Sequence, residues 1–286
     1  MEKIAILTDS CADVPQYYQE KYHIYTVPMM VTSNDRSYRD GVDIFAEDVY
    51  ELQKKEILKT SSPQGNDVIA TLEKIKADGY SHVIILTIAS ALSGTVNQIR
   101  LFAQDVDDLV VEVFDSKSAS IGNGVIVIET AKLRDQGFTF GELVHKVAEV
   151  INNTYVYFSI DTLEYLQKGG RIGKATAFVG GALKIKPILS FDKDNGMIYV
   201  PSKARGNKKV KGQLIKLVAK NIEENPNRSF NLVIADGGDE ENHKLLEQEL
   251  KELYPQANEV INAKIGAALS TYLGSGLLGA GIQFID

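Results

Sequence analysis

Cys11 is the only cysteine in this 286-residue chain. It cannot form an intrachain disulfide, and one chain cannot build a multi-thiolate metal site from it. That usage fits a reducing compartment. The four histidines, His23, His82, His145 and His243, make no H-x-x-H or H-E-x-x-H spacing, so the helical zinc motif is missing. An excess of positive charge is missing too. The 31 Lys and Arg stand against 38 Asp and Glu, leaving a formal charge of −7. Nucleic-acid binding relies on cationic side chains that neutralise phosphates, so no nucleic acid is expected as the main partner. No run of 18 apolar residues occurs, and no membrane-spanning helix is expected. Met1-Glu2-Lys3 leads straight into an apolar strand without a signal-peptide n-region, and the expected location is the cytoplasm. Low-complexity tracts, obvious repeats and a recognisable phosphate-binding P-loop are also absent.

What the chain does have is hydroxyl groups in telling places. Ile4-Ala5-Ile6-Leu7 runs into Thr8-Asp9-Ser10. Val83-Ile84-Ile85-Leu86-Thr87 runs into Ser90-Ala91-Leu92-Ser93-Gly94-Thr95. Val110-Val111-Glu112-Val113-Phe114 runs into Asp115 and Ser116, then Ser118, Ser120, Gly122 and Gly124. Lys59-Thr60-Ser61-Ser62-Pro63 is similar, after a more helical stretch. Short apolar runs followed by helical patterns predict parallel strands buried on both faces. Ligands of open α/β sheets bind beyond the carboxyl ends of such strands. A rim of neutral OH and NH donors there suits a carboxylate or phosphate better than acid–base chemistry.

With 44% hydrophobic and 24% charged residues, a full-sized core is affordable. The spacing predicts helices over 48–58, 66–78, 95–103, 122–134 and 140–152, the last opened by Thr139 with Glu142 three positions on. After Asn153 the character changes. Strands are predicted over 155–160, 184–191 and 197–201, the last two as a hairpin around Asp192-Lys193-Asp194-Asn195-Gly196. Further strands fall at 231–235, 258–261 and 280–285, with helices at 162–167, 206–224 and 240–253. The expected fold class is α/β in two domains. Residues 1–153 form a parallel-sheet domain, Rossmann-like without a dinucleotide site, and 154–286 a mixed-sheet domain, with a ligand between them.

Gly274-Ser275-Gly276-Leu277-Leu278-Gly279 matches G-x-G-x-x-G, but the chain ends seven residues later. A dinucleotide site needs a following helix and a downstream acid, so a tight turn with close backbone approach is the better reading. Ser93-Gly94 is expected at a helix N-terminus, which attracts anions or simply needs a capping serine. A second hydroxyl loop at Thr60-Ser61 exceeds what one cap needs. Asp9 and Asp115 lack nearby His or Glu ligands and read as turn or cap residues rather than metal ligands. Cys11 has no histidine partner in sequence, so it is not expected to be a nucleophile. Three glycines bracket Arg171 in Lys168-Gly169-Gly170-Arg171-Ile172-Gly173-Lys174, a loop able to aim the guanidinium at an anion or simply to be solvated. Lys203, Arg205, Lys208, Lys209 and Lys211 make a local basic cluster. The uncharged segment 176–183 can wall either a core or a lipid tunnel.

In order along the chain, Thr8-Asp9-Ser10, Lys59-Thr60-Ser61, Leu92-Ser93-Gly94-Thr95, Thr162-Leu163-Glu164-Tyr165-Leu166 with Gly169-Gly170-Arg171-Ile172, Lys186-Pro187-Ile188-Leu189, and Gly274 with Gly276 resemble the DegV family. The resemblance covers essentially the whole chain. It implies two α/β domains enclosing a long-chain fatty acid and no cofactor or metal. It also implies a role, found in some members, as the non-catalytic lipid-presenting subunit of a bacterial fatty acid kinase. By that resemblance Thr60, Ser61, Ser93, Gly94, Thr95 and Tyr272 hold the carboxylate. Arg171 and Arg205 lie at the pocket mouth facing the kinase, and transient contact with a membrane surface is compatible with the role. The chain departs from the family's H-x-G-P-G pattern, with Tyr272 for the histidine and Ser275 for the proline. A tyrosine hydroxyl still donates to a carboxylate but does not become a cation near neutral pH. The alternatives are a lipid sensor without kinase coupling and an enzyme acting on a small carboxylated or phosphorylated metabolite.

Overall fold

The computed structural model describes residues 2–34, 36–179 and 185–285. β1 (Ile4–Asp9) leads through α1 (Gln16–Lys21) to three short strands, β2 (Ile24–Val27), β3 (Met30–Ser33) and β4 (Arg36–Arg39). Next come α2 (Ala46–Leu52), β5 (Lys59–Ser61), α3 (Gly65–Ala77) and β6 (His82–Thr87). α4 (Thr95–Ala103), β7 (Val110–Asp115), α5 (Ile121–Asp135) and α6 (Phe140–Asn152) complete this half. Strands β2-β1-β6-β7 form one parallel sheet. Every residue of β1 is buried, as expected when helices cover both faces of a parallel sheet.

The second half runs β8 (Thr154–Ser159), α7 (Glu164–Lys168), β9 (Ile185–Phe191), β10 (Ile198–Arg205) and α8 (Val210–Glu224). It continues with β11 (Phe230–Gly237), α9 (Glu240–Leu253), β12 (Val260–Lys264), α10 (Ala267–Leu273) and β13 (Leu277–Phe284). Its six strands are ordered β10-β9-β8-β13-β11-β12. β11 and β12 are parallel and the other neighbours antiparallel, which makes the sheet mixed.

α5 is buried without a break from Ile121 through Ala131, the pattern of a helix with no solvent face. It contacts β1 and β6 of one sheet and β8 and β11 of the other. The largest hydrophobic cluster therefore runs from Ile6 and Ile84 through Val125 and Ile128 to Phe158 and Val233.

Several elements differ from the sequence reading. The 48–58 helix stops at Leu52, because Lys54, Lys55 and Glu56 supply no apolar position and Ile57 is 67% exposed. Lys59–Ser61 is not a loop after a parallel strand. It pairs antiparallel with β3 in a separate three-stranded sheet, β4-β3-β5. β10 runs past Pro201 to Arg205 because its register on β9 shifts between Tyr199 and Ser202, and such a bulge accommodates a proline that cannot donate to the ladder. β12 starts later and β13 earlier than the spacing suggested. Gly206 caps a turn of 3₁₀ helix, Asn207–Lys209, that precedes α8. Lys184, expected to open a strand, lies outside the described residues.

Candidate functional site

A cavity of about 360 Å³ lies between the two sheets, within the ~300–1,000 Å³ usual for small-molecule sites. Its walls are Ile88 and Ile121 from one side, Phe158, Val233, Ala235 and Leu277 from the six-stranded sheet, and Leu269 from α10. Ala235 and Gly279 face each other across the β11–β13 ladder, and a Cβ on Gly279 would lie 3.1 Å from that of Ala235. Small residues on the sheet floor make the room; Gly279 is useful here for its missing side chain.

Polar side chains gather at one end. Thr60, Ser61 and Ser62 come from β5 and its exit, Ser93 and Gly94 from the start of α4, Tyr272 from α10 and Arg171 from the loop after α7. Thr60 Oγ1 and Tyr272 OH are 2.8 Å apart. Ser93 Oγ lies 3.4 Å from Ser62 Oγ and 2.8 Å from Thr95 Oγ1. Gly94, the N-cap of α4, has no side chain to cap it, and Ser93 Oγ accepts the Thr95 amide at 3.4 Å. The α4 N-terminus and its dipole face the hydroxyl cluster.

Arg171 is the only cationic side chain lining this cavity among the described residues, and no carboxylate lines it. Its Nη1 donates to Gly169 O at 2.6 Å and its Nε to Leu92 O at 3.2 Å, while its guanidinium carbon stands 5.1 Å from the Tyr272 ring centre. A Cβ on Gly169 would fall 2.3 Å from the Tyr272 ring, so this glycine admits the tyrosine against the loop. Hydroxyl donors, one guanidinium and no competing anion make an end suited to an acidic head group.

Not every expected site residue lines the cavity. Thr95 is buried behind Ser93, where its Oγ1 donates to Ser62 Oγ at 3.0 Å and approaches Met29 Sδ. It holds the other hydroxyls rather than facing the cavity, because the first turn of α4 points it inward. Arg205 is exposed at the end of β10, an edge strand, paired with Ile185, and is not among the residues that line the cavity. Ser62, not singled out from the sequence, does line the cavity; its place in the Thr60-Ser61-Ser62 run was the available signal. Of the 176–183 segment, Phe178 lies under Lys203 Nζ and Val179 packs on the core without lining the cavity, while 180–183 lie outside the described residues.

The Thr8-Asp9-Ser10 cluster is structural. Asp9 accepts the Cys11 and Ile88 amides at 3.0 and 2.8 Å, tying the ends of β1 and β6. Asp115 accepts the Ser90 and Lys117 amides as a turn residue. Burial pushes the Cys11 thiol well up, with the nearby carboxylates adding to it, which makes it inert as a nucleophile. The Gly274-Ser275-Gly276 turn leads into a strand, not a helix. Gly276 has φ +93°, and a Cβ there would meet Asp161 Oδ2 at 2.3 Å, which no other residue accommodates.

α10, which carries Tyr272, is held at both ends. Asp13 Oδ1 accepts the Gly266 amide at 2.9 Å and Asp40 Oδ1 the Ala267 amide at 2.8 Å. Gln53 Nε2 donates to Ser270 O and Thr271 O at the other end. Burial raises Asp13 to about 8, and the Asp40 and Asp9 charges add to the rise. Asp9 is raised to about 7 and Asp40 is also raised, both chiefly by burial. The folded state keeps protons that the unfolded chain releases, so stability falls as pH climbs from about 4 towards 8. The slope is up to ~1.4 kcal/mol per pH unit for each carboxyl inside its window. Asp13→Asn preserves the acceptor for Gly266 and should flatten the decline of melting temperature between pH 5 and 8.5. Parallel wild-type and variant curves would show that Asp13 does not titrate there.

Comparison with known proteins places this geometry. A family model described as "Uncharacterised protein, DegV family" matches residues 3–284. A DegV domain-containing protein of Clostridium acetobutylicum is 36% identical over 280 residues, 98% of either chain. The solved structure of a DegV family protein from Thermus thermophilus, described by its fatty acid binding, superposes with a TM-score of 0.90 at 28% identity, covering 99% of each chain. Bacillus subtilis DegV, a fatty acid binding protein, gives 0.89 at 30% identity over 99% of this chain and 100% of its own. Whole-chain similarity in sequence and two-domain α/β fold thus agree, and the chain belongs to the DegV family.

Proposed function

We propose that this protein binds a long-chain fatty acid in the cavity between its sheets and presents the carboxylate to a partner ATP-dependent kinase that forms the acyl phosphate. The observation that carries the binding reading is the asymmetry of the cavity: apolar along its length and hydroxyl-lined at one end. Similar proteins of the family are fatty acid binders. Burying about 14 methylenes at roughly 0.8 kcal/mol each supplies on the order of 11 kcal/mol before ordering costs. Thr60, Ser61, Ser62 and Ser93 would orient the carboxylate and offset its desolvation. The domain division at 153/154 fits this reading, with the lipid held where the halves meet. No helix among the described residues is long and apolar enough to cross a membrane.

Mass spectrometry of an organic extract from the folded protein tests the binding reading. Near-stoichiometric fatty acid, absent from a denatured control, is the expected result. A protein that comes out empty and stays empty after incubation with several fatty acids would refute it.

The kinase half of the proposal rests on the partner supplying the chemistry, since this chain has no G-x-x-x-x-G-K-[ST] motif. Arg171→Gln is expected to slow acyl phosphate formation with a supplied fatty acid kinase by about tenfold or more while fatty acid affinity changes less than threefold, a split corresponding to about 1.4 kcal/mol against under 0.7. Equal losses would move Arg171 into the binding role alone. Tyr272 favours a second reading, a lipid sensor without kinase coupling, because its hydroxyl is engaged with Thr60 and carries no positive charge. Tight lipid binding with no acyl phosphate from any matching kinase would select that reading.

A further inference from the structure

A second cavity of about 260 Å³ adjoins the first, sharing Val156, Tyr157 and Phe191 in its walls. Its origin is a gap in the six-stranded sheet. β8 and β9 pair only at Phe158 with Leu189. Beyond that point the strands part, and side chains take over the carbonyls that a ladder would have used. Ser190 Oγ donates to Val156 O at 2.8 Å, and Lys193 Nζ donates to Thr154 O and, at 3.1 Å, to Ile151 O. The two cavities thus meet at Val156, Tyr157 and Phe191, with the apolar space of the first on one side and a polar chamber on the other.

That chamber is cationic. Lys117, Lys193 and Lys220 line it against one carboxylate, Glu224, which already faces Lys220 at 3.6 Å. Lys193 makes no ion pair among the described residues; besides its two carbonyls it meets only the Tyr155 ring, 4.2 Å from the centroid. An ammonium has three donors, so one remains after the two carbonyls. A largely desolvated ammonium without a counter-ion is an incomplete arrangement, since buried charges are ordinarily paired. Burial and the neighbouring Lys117 charge push the Lys193 ammonium down to about 7. An anion beside it would restore the charge. Ser118 and Tyr199 line the same chamber and add hydroxyl donors, whereas Ser116 Oγ is already donating to Ser118 O.

We propose that the gap between β8 and β9 is a second subsite that takes the anionic ω-terminus of a bifunctional acyl chain, an α,ω-dicarboxylic acid being the simplest member. The inference rests on the fatty-acid reading of the first cavity. One carboxylate would sit at Thr60 and Ser93, the chain would cross the apolar cavity, and the second carboxylate would reach Lys193 and Lys117. Without such a subsite, a diacid would bury an unpaired carboxylate among apolar side chains and bind far more weakly than the monoacid.

The test is displacement of a bound fluorescent fatty acid from the delipidated full chain by straight-chain monoacids and diacids of 12 to 22 carbons. The expected result is a diacid length, set by the span between the two ends, that competes within threefold of the matching monoacid. Lys193→Met and Lys117→Gln should each weaken that diacid by about tenfold and leave monoacids unchanged. Among the described residues the Lys117 ammonium makes no hydrogen bond, only its amide does, so its variant keeps the test decisive should Lys193→Met fold poorly. Diacids weaker than monoacids by 100-fold at every length, or losses equal for both ligand types in the Lys117 variant, would overturn the subsite while leaving the fatty-acid reading intact. Failure of monoacids themselves to bind would overturn both.

Discussion

Ala235→Phe is expected to lower the affinity for a C16 fatty acid by on the order of 150-fold while the protein still folds. Ala235 sits on β11 opposite Gly279, on the floor of the acyl cavity. A phenyl group there occupies the space of about four methylenes. At about 0.8 kcal/mol each, that removes about 3 kcal/mol of burial. The cavity itself gives the ring somewhere to go, so the overpacking that would strain a filled core is mostly avoided. Calorimetric titration with acids of 10, 12, 14 and 16 carbons checks the effect. The longest chains should lose the most, because their tails compete directly with the ring. A uniform small loss, or none, would mean that the acyl chain follows another course.

Combined Ser93→Ala and Thr60→Ala should remove most of the preference for an acid over the alcohol of the same chain length. Hydrogen bonds to a charged group contribute about 1.5–3 kcal/mol each, so each bond lost costs on the order of 30-fold in acid affinity. The two are not independent. Thr60 also bonds Tyr272 at 2.8 Å, and Ser93 bonds Thr95 at 2.8 Å. Freed of Thr60, the Tyr272 hydroxyl can turn towards the carboxylate, and the double variant should lose less than the product of the single losses. Alcohol affinity serves as the control for the apolar part of the site. An acid preference that survives the double change would assign the head group to the α4 N-terminus and Arg171 alone.

Much of this arrangement was legible in the amino-acid order, for identifiable reasons. α4 begins and ends where the apolar spacing put it, at Thr95 and Ala103, because a strand, a Ser-Gly break and an amphipathic repeat all point to the same boundaries. Of the parallel strands, β1, β6 and β7 stood out as mainly apolar runs. β2 to β5 did not, since each has only three or four residues with Thr, Ser or Arg among them, too short for an alternation to register. α10 stayed hidden in a run of Ala, Leu, Ser and Thr because it is a seven-residue helix fixed by Asp13, Asp40 and Gln53, partners more than 200 positions away. Tyr272 was nonetheless identified through its family motif.

The finer errors have the same root. Whether Thr95 faces the cavity depends on how the first turn of α4 is rotated, and whether Ser62 does depends on how the chain leaves β5; a run of neighbouring hydroxyls carries no sign of either. Arg205 was set at the cavity mouth by the family resemblance, and it stands at the end of the edge strand β10, opposite Ile185 and outside the cavity lining. The sparse pairing of β8 with β9 left no mark in β8 either, whose run of Tyr155, Val156, Tyr157 and Phe158 reads as an ordinary strand.

The acyl cavity is walled by members of the same hydrophobic cluster that joins the two sheets through α5. A molecule bound there would therefore also be a piece of the protein interior, and its supply would govern how long the protein lasts. At a free concentration 1,000 times the dissociation constant, a ligand adds about 4 kcal/mol to the folded state, comparable to a large share of a domain's net stability. Cellular proteases act on opened chains, so cells short of fatty acid would clear this protein faster than cells well supplied. Its abundance would then follow lipid availability without any change in gene expression.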